Sequence, residues 1–431
     1  MKRNYYIVAL IMLTFFVVSF LTNIIGPLVP DIIKGFHLSL TLVALLPFAF
    51  FIAYGVMSIP TGVLLEKYKE KKIMTAAFVV AFIGALILAM FPNYLTAVVS
   101  LFLIGSGMAM LQVVINPLLR TAGGEENYAF NSVLAQLIFG LASFVSPLVY
   151  SYLVLNLKSA AGSRDVILST LHSLVPGNLP WISLYWLFTI ICLAMILVII
   201  FSKFPKVELS EDEEVEPVNV YIQLIKNPIV ILFFFGIFMY VGTEQGVANW
   251  MSQFLQTYHG VNPQTTGADE VSRFWGLMTA GGVLGLFLLK VMDSRKVLIG
   301  FTVLAIITLS FALFGGDTAS LYAFPIIGFF ASVMYPIIFS LALNSLEEHH
   351  GAFAGILVTA IIGGAIVPLI IGWFGDMFGL RTGMLFLYVT MGFILSIGFW
   401  AKPIITNKTI QMSRKEAAAG DPDLSEQTGV A

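Results

Sequence analysis

Charged residues are scarce in this sequence, and their scarcity excludes an ordinary soluble domain. Asp, Glu, Lys and Arg make up 11% of its 431 residues, while apolar residues make up 58%. Soluble proteins carry roughly 25% charged residues because their surfaces face water. The apolar runs recur from one end of the chain to the other, so a cleaved signal peptide does not explain them. We therefore expect a protein whose main solvent is the lipid bilayer.

Cysteine is also nearly absent, and the histidines are not clustered. Cys192 is the single cysteine, which excludes an intramolecular disulfide and a cysteine-based metal site. The five histidines show no zinc-type spacing, and the convergent nucleophile and base that an intramembrane enzyme needs are not visible. The formal net charge is −2, and no basic block suggests nucleic acid. We expect no metal, no cofactor and no enzymatic activity.

Twelve apolar runs are long enough to cross a bilayer as helices. A span needs about 20 apolar residues, because only an internally hydrogen-bonded backbone is stable in hydrocarbon. The predicted spans are residues 7–30, 43–65, 73–91, 95–119, 130–154, 182–202, 228–251, 272–291, 297–314, 321–344, 352–375 and 383–401.

Two longer polar breaks divide the chain. Residues 155–181 form a loop with room for a short interfacial helix, and residues 203–227 contain the acidic run 211–217. The predicted organisation is an N-terminal six-helix bundle (1–202), a cytoplasmic linker (203–227), a C-terminal six-helix bundle (228–402) and a disordered cytoplasmic tail (403–431).

The positions of lysine and arginine predict the orientation in the membrane. If both termini are cytoplasmic, 17 of the 22 Lys and Arg residues lie on the inner side. The other five are Lys34, Lys158, Arg164, Arg273 and Arg381. By the positive-inside rule, we expect a multi-pass protein of the cytoplasmic (inner) membrane with its N- and C-termini in the cytoplasm.

The two halves of the chain echo one another. Asn116-Pro117 in the fourth span matches Tyr335-Pro336 in the tenth, and a Glu pair, an Ala-Phe pair, a glycine and a proline follow each in the same order. The offset stays between 219 and 223 residues along the whole series. Two duplicated halves around a central cavity are typical of alternating-access transporters. We predict two pseudo-symmetric six-helix bundles.

Polar side chains inside the spans are the candidate binding residues, because polar groups in a bilayer are costly unless they face a cavity or a partner. Amides donate and accept hydrogen bonds and aromatic rings stack on apolar faces, so the set suits a small neutral sugar. Each amide also has a structural interpretation as a bond between helices, and Trp250 has one as an interfacial aromatic residue. The candidates are Asn23, Gln112, Asn116, Asn131, Gln136, Gln245, Asn249, Trp250, Tyr335 and Thr359.

Glu244 is the one carboxylate well inside a predicted span, and it stands between Gly242 and Gly246. A carboxyl group at such depth can exchange a proton or, when ionised, hold Na⁺. We predict that Glu244 couples transport to H⁺ or Na⁺. Asp31, Asp269, Glu270 and Arg273 lie near the outer ends of spans and are interpreted as loop or gate residues.

Several segments resemble one transporter family. Residues 62–67, followed by a basic run, resemble a degenerate major facilitator loop. The segments LQVVINPLL (111–119), FNSVLAQ (130–136), YVGTE (240–244), YPIIFSLAL (335–343) and TAIIGGAIVPLIIGWFGD (359–376) resemble blocks of the fucose–galactose–glucose:proton symporter family, as does 50–67. The likeness is greatest to its glucose/galactose and N-acetylglucosamine branches. The resemblance implies a major facilitator fold and monosaccharide uptake, with roles for Asn23, Gln112, Asn116, Asn131, Gln136 and Glu244.

The sequence departs from that family at two positions. Gly26 stands where the family carries an Asp in its first helix, and Gly282 stands where an Arg is usual. These departures leave open H⁺ coupling through Glu244, Na⁺ coupling and uncoupled facilitation. Two further alternatives are a major facilitator exporter of drugs or metabolites and a transporter-like sugar sensor.

Overall fold

The computed structural model describes residues 4–124, 127–157, 166–204 and 218–404. Twelve of its helices are long and apolar enough to cross a membrane, as predicted, and the described part of the chain contains no strand. They are α1 (Tyr5–Phe36), α2 (Leu40–Leu65), α3 (Lys67–Met90), α4 (Tyr94–Gly123), α5 (Phe130–Leu157), α6 (Pro180–Phe201), α7 (Pro228–His259), α8 (Pro263–Val291), α9 (Ser294–Phe314), α10 (Asp317–Leu343), α11 (His350–Phe378) and α12 (Leu380–Trp400).

The helix ends differ most from the prediction around the α7–α8 connection. α7 continues to His259, and α8 begins at Pro263 rather than at residue 272. Asp269 and Glu270 therefore lie in the first turn of an α-helix, not in a loop. Hydropathy marks only the apolar middle of a span, and helices extend past it into more polar turns. This is the physical reason for the error.

Within the described ranges, two short α-helices lie between the spans. Val166–Leu174 lies in the long loop between α5 and α6, where an interfacial helix was expected. Val218–Ile225 precedes α7, in a stretch that was predicted to be linker throughout. The acidic run 211–217 and the tail beyond residue 404 lie outside the described residues, so the predicted domain boundaries there stay predictions.

Among the described residues, the halves α1–α6 and α7–α12 meet mainly along three seams, formed by α1 with α7, α2 with α11, and α5 with α8. A two-fold axis between the halves would exchange α1 with α7, α2 with α8, and α5 with α11. It would therefore map the α1–α7 seam onto itself and exchange the α2–α11 and α5–α8 seams. We call the membrane face with the described chain ends the terminal face, and the opposite face the distal face. An even number of spans places residues 4 and 404 at the same face.

Corresponding basic residues terminate the last helix of each half. Lys71, after the α2–α3 turn, donates from Nζ to the carbonyl oxygens of Ile200 (2.7 Å) and Ser202 (2.9 Å) at the end of α6. Arg295, after the α8–α9 turn, donates to the carbonyl oxygen of Ala401 at the end of α12 (3.4 Å). A cation satisfies the unpaired carbonyls of a helix C-terminus. The equivalent placement in both halves supports their pseudo-symmetry.

A carboxylate joins the halves at the distal face. Asp376 of α11 accepts hydrogen bonds from the backbone N–H groups of Leu40 and Thr41, each at 2.8 Å, at the start of α2. Ser39 caps the same helix by accepting from the N–H of Leu42. The first N–H groups of a helix have no intrahelical partner, and an anion there is favourable. Asp376 therefore holds α2 of one half against α11 of the other.

Replacing Asp376 by Ala is expected to open the distal face. An exposed carboxylate at a helix N-terminus contributes about 0.3–1 kcal/mol, so the population with separated halves is expected to rise roughly two- to fivefold. Pro92 and Gly316 lie in distal turns of opposite halves. With each replaced by a spin-labelled cysteine, pulsed electron paramagnetic resonance measures the distance between the two labels. The native Cys192 is buried and does not compete for the label.

Asp293→Ala is the matched control. Asp293 also caps a helix, accepting from the N–H of Arg295 at 2.9 Å, but it does so within one half. It is expected to leave the distal distance unchanged. Equal distances in wild type and Asp376→Ala would show that Asp376 does not hold the seam.

Candidate functional site

The first span is broken at Asn23, a polar residue in its apolar middle part. Pro27 has no N–H group, so the carbonyl group of Asn23, four residues earlier, loses its intrahelical donor. The structure accordingly divides α1 into Tyr5–Thr22 and Ile25–Phe36, with Asn23 at the break. Irregular backbone at membrane depth is tolerated where protein surrounds it or where it lines a cavity. The break marks α1 as part of a functional site.

Asn23 is buried and bonded to α5. Its Nδ2 donates to Ser143 Oγ at 2.8 Å, and Ser143 Oγ lies 2.7 Å from Ser19 Oγ. The two serines thus fix the orientation of the amide within the N-terminal half. The amide nitrogen is therefore occupied by hydrogen bonds within the N-terminal half.

Glu244 lies in a second polar cluster, on α7. Its carboxylate accepts from Gln245 Nε2 at 3.0 Å and is also hydrogen-bonded by the hydroxyl group of Tyr240. The ring of Tyr335, from α10, lies 5.7 Å from that of Tyr240. Both partners of the carboxylate are neutral, and Glu244 is half-buried. The cluster therefore offers a titratable oxygen and aromatic surface side by side.

A glycine contact brings these two clusters together across the α1–α7 seam. A Cβ atom built on Gly26 would lie 2.2 Å from the carbonyl oxygen of Ala248, so the two backbones touch here. Asn23 lies three residues before Gly26, and Glu244 lies four residues before Ala248. Both helices run from the terminal to the distal face, so each polar residue lies about one turn from the contact on its terminal side.

The amides of α4 and α5 divide into accessible and packed residues. Gln112 is half-buried and Asn116 is exposed, and Asn116 Nδ2 lies 3.4 Å from the Gln112 carbonyl oxygen, so the two share one face of α4. Gln136 on α5 is exposed as well. Asn131 is buried, and its Nδ2 lies 2.2 Å from where a Cβ on Gly123 would stand. Asn131 thus packs between α4 and α5.

Two of the predicted binding residues have their polar groups occupied in the C-terminal half. Trp250 is 1% exposed, and its Nε1 donates to the Pro368 carbonyl oxygen at 3.1 Å. The interfacial interpretation of Trp250 was therefore wrong. Thr359 donates to the Ile356 carbonyl oxygen in its own helix at 2.7 Å and lines an apolar cavity.

Asn249 differs from those two residues because its donor is unused. Its side chain is 4% exposed, and its Nδ2 has no hydrogen-bond partner among the described residues. Its Cα lies 3.4 Å from the Cβ position of Gly26. An unpaired buried donor is costly. A ligand that accepts a hydrogen bond here would remove that cost.

The structure also shows functional candidates that were not among the predicted residues. Tyr240 was not among the predicted binding residues, although its position four residues before Glu244 places both on one helix face. Ser19 and Ser143 gave no signal, because serine is common in apolar helices. Asp31, expected to be a gate residue, accepts from Tyr150 of α5 (2.7 Å) and from Gln264 of α8 (3.0 Å), so it joins the two halves.

Comparisons with known proteins agree with this architecture. A profile of the Major Facilitator Superfamily matches residues 11–361. The chain is 30% identical over 403 residues to a glucose/galactose transporter of Brucella abortus, covering 92% of this chain and 94% of that protein. It is 27% identical over 395 residues to the L-fucose-proton symporter of Escherichia coli, covering 88% and 89%. A crystal structure of the Escherichia coli fucose:proton symporter matches with a TM-score of 0.64 at 23% identity, covering 92% of this chain and 98% of that one, and shows the same fold.

Replacing Gly26 by Ala is expected to push α1 away from α7, because the added methyl group would overlap the Ala248 carbonyl oxygen. Overpacking of this kind costs about 1–3 kcal/mol. The Pro92 and Gly316 spin-label pair is expected to report a larger distal separation. Gly392→Ala is the control, since nothing lies within 4 Å of a Cβ at Gly392. An unchanged distance in Gly26→Ala would contradict a close α1–α7 contact in the protein.

Proposed function

The chain belongs to the Major Facilitator Superfamily, and we propose that it takes up a neutral monosaccharide across the cytoplasmic membrane by alternating access, coupled to a cation gradient. It is a multi-pass transporter of the sugar symporter type. The observation that carries the proposal is the Gly26–Ala248 contact. The contact brings the turn of α1 that carries Asn23 close to the turn of α7 that carries Glu244, which supports a site at the seam between the halves.

The chemistry of this region suits a sugar better than an ionic substrate. Asn23 Oδ1 can accept from a sugar hydroxyl group, and Asn249 Nδ2 can donate to one. The rings of Tyr240 and Tyr335 offer an apolar face on which a pyranose ring can stack. Gln112, Asn116 and Gln136 add accessible amides from the N-terminal half. Hydrogen bonds from fixed, desolvated amides give such sites their selectivity.

Glu244 is the proposed coupling residue. The family's Asp has no counterpart here, because Gly26 occupies its place and the α1–α7 contact leaves no room for a side chain. Glu244 lies one turn from this contact, so the α7 carboxyl group can take the proton-binding role. When protonated, it can donate a hydrogen bond to the sugar while Tyr240 and Gln245 hold its geometry. When ionised, it loses that donor, and sugar binding is coupled to proton binding.

The contacts between the halves support the proposed alternating access. Asp376 closes the α2–α11 seam at the distal face, Gly26 closes the α1–α7 seam, and Asp31 bridges towards α8 through Gln264. The positive-inside rule assigns the terminal face to the cytoplasm. The structure then corresponds to the state that is closed towards the outside, and rocking of the halves about the central site would open these seams.

The coupling prediction is tested in proteoliposomes with glucose, galactose, fucose and N-acetylglucosamine and an external pH probe. Sugar addition to wild type is expected to make the outside more alkaline, since protons enter with the sugar. Glu244→Gln is expected to lower this proton movement at least tenfold while sugar exchange persists, because the amide cannot ionise. Glu270→Gln is the matched control, since Glu270 is also buried in a span but bonds to Arg273 on α8.

The same assay separates the alternatives. Proton movement that persists in Glu244→Gln would contradict the role of this carboxyl group, and uptake that needs Na⁺ or no ion would contradict proton coupling. Substrate leaving energised vesicles would indicate an exporter. Sugar binding without any movement would indicate a sensor.

A further inference from the structure

An apolar cavity of about 590 Å³ opens between the halves near the terminal face. α2 contributes Ile59 and Val63, and α11 contributes Gly355 and Thr359. α7 contributes Val230, Ile231, Phe234 and Phe235, and the short helix 218–225 closes one side with Tyr221 and Ile225. All these residues lie within about three turns of the terminal ends of their helices. The cavity is therefore at the depth of one membrane leaflet.

The cavity wall does not suit a sugar. Its lining is almost entirely aliphatic and aromatic, and the hydroxyl group of Thr359 is already bonded to a backbone carbonyl within α11. Ile59, Val63 and Ile225 are each more than half exposed, at 57%, 52% and 56%. These side chains face the hydrocarbon that surrounds a spanning protein. An acyl chain from the bilayer can enter such a cavity without leaving an apolar medium.

Two lysines flank the terminal end of the cavity. The backbone stays helical from the end of α2 into the start of α3 and departs from helical geometry only at Lys69, so Lys67, the first residue of α3, lies one turn past Val63 on the same side of the helix. Lys226 directly follows Ile225 at the end of the short helix. Both lysines are exposed. An ammonium group at the edge of a leaflet attracts an anionic lipid headgroup.

We propose that this cavity binds one anionic phospholipid of the surrounding bilayer, with an acyl chain between α2 and α7–α11 and its phosphate near Lys67 and Lys226. The walls come from both halves, so the bound lipid contacts the two halves at once. It acts as a wedge on the terminal side of the α2–α11 seam, opposite the Asp376 contact. The lipid therefore favours the state that is closed at the distal face.

Gly355→Leu tests the acyl-chain part of the proposal. A Cβ on Gly355 would lie 3.9 Å from Tyr221 Cε1, an ordinary contact, so a leucine fills the cavity without disturbing the backbone. Native mass spectrometry of the full-length protein counts retained phosphatidylglycerol. Gly355→Leu is expected to lose the most tightly retained molecule. Gly300→Leu adds the same side chain on exposed α9, where nothing lies within 4 Å, and is expected to retain it.

The headgroup part is tested with phosphatidylglycerol and phosphatidylcholine of the same acyl chains. Wild type is expected to retain phosphatidylglycerol more tightly, and each of Lys67→Gln and Lys226→Gln is expected to weaken that affinity roughly fivefold. Equal retention of both lipids by wild type would overturn the anionic preference. Equal retention of phosphatidylglycerol by wild type and Gly355→Leu would overturn the cavity as the binding site.

The conformational part uses the distal spin-label pair at Pro92 and Gly316. Nanodiscs with phosphatidylglycerol are expected to favour the shorter distal distance over nanodiscs with phosphatidylcholine, and Gly355→Leu is expected to remove that dependence on lipid. A distance that does not depend on the lipid in wild type would overturn the wedge. These measurements need no sugar, so they stand or fail separately from the proposed transport activity.

Discussion

In the hydrocarbon core of a membrane, every backbone N–H and C=O group needs a partner inside the protein. This constraint makes the twelve spans helical and gives each departure from a regular helix a meaning. Pro27 interrupts α1 at Asn23, and the structure surrounds the break with α5 and α7. Lys71 and Arg295 pair the carbonyl groups at the ends of α6 and α12. The break in α1 is therefore enclosed by neighbouring helices of both halves.

The seams between the halves depend on contacts too close for ordinary side chains. Gly26 meets the Ala248 carbonyl group, and a Cβ on Gly372 would lie 2.7 Å from the Leu40 carbonyl oxygen. Small residues allow such approach, and dispersion and hydrogen bonds then hold the helices, because lipid tails provide no hydrophobic drive between them. A seam built in this way can separate at modest cost. This property suits a transporter that must open and close it repeatedly.

The same close packing explains how the role of a carboxylate on α1 can be taken by a carboxylate on α7. A carboxylate on α1 at position 26 cannot coexist with the α1–α7 contact, whereas Glu244 on α7 lies one turn away and has Tyr240 and Gln245 as donors. In the proposed mechanism, the titratable group thus belongs to α7 rather than to α1, on the other side of the seam, and the site stays in the same place. The apolar cavity near the terminal face lies on another part of the same interface and involves different chemistry.

The sequence by itself determined the number of spans, their approximate limits and the duplication, because hydrophobic length and the order of glycine and proline are local properties of the chain. It also singled out Glu244, since a carboxylate in an apolar run is visible without any structure. Only the tertiary structure decided which polar groups are occupied: Trp250 bonds to Pro368, Asn23 bonds to Ser143, and Asn249 Nδ2 has no partner in the part of the chain that the structure describes. Such pairings join residues more than 100 positions apart, so no local pattern records them. Helix packing decides which buried polar atoms are hydrogen-bonded and which are not.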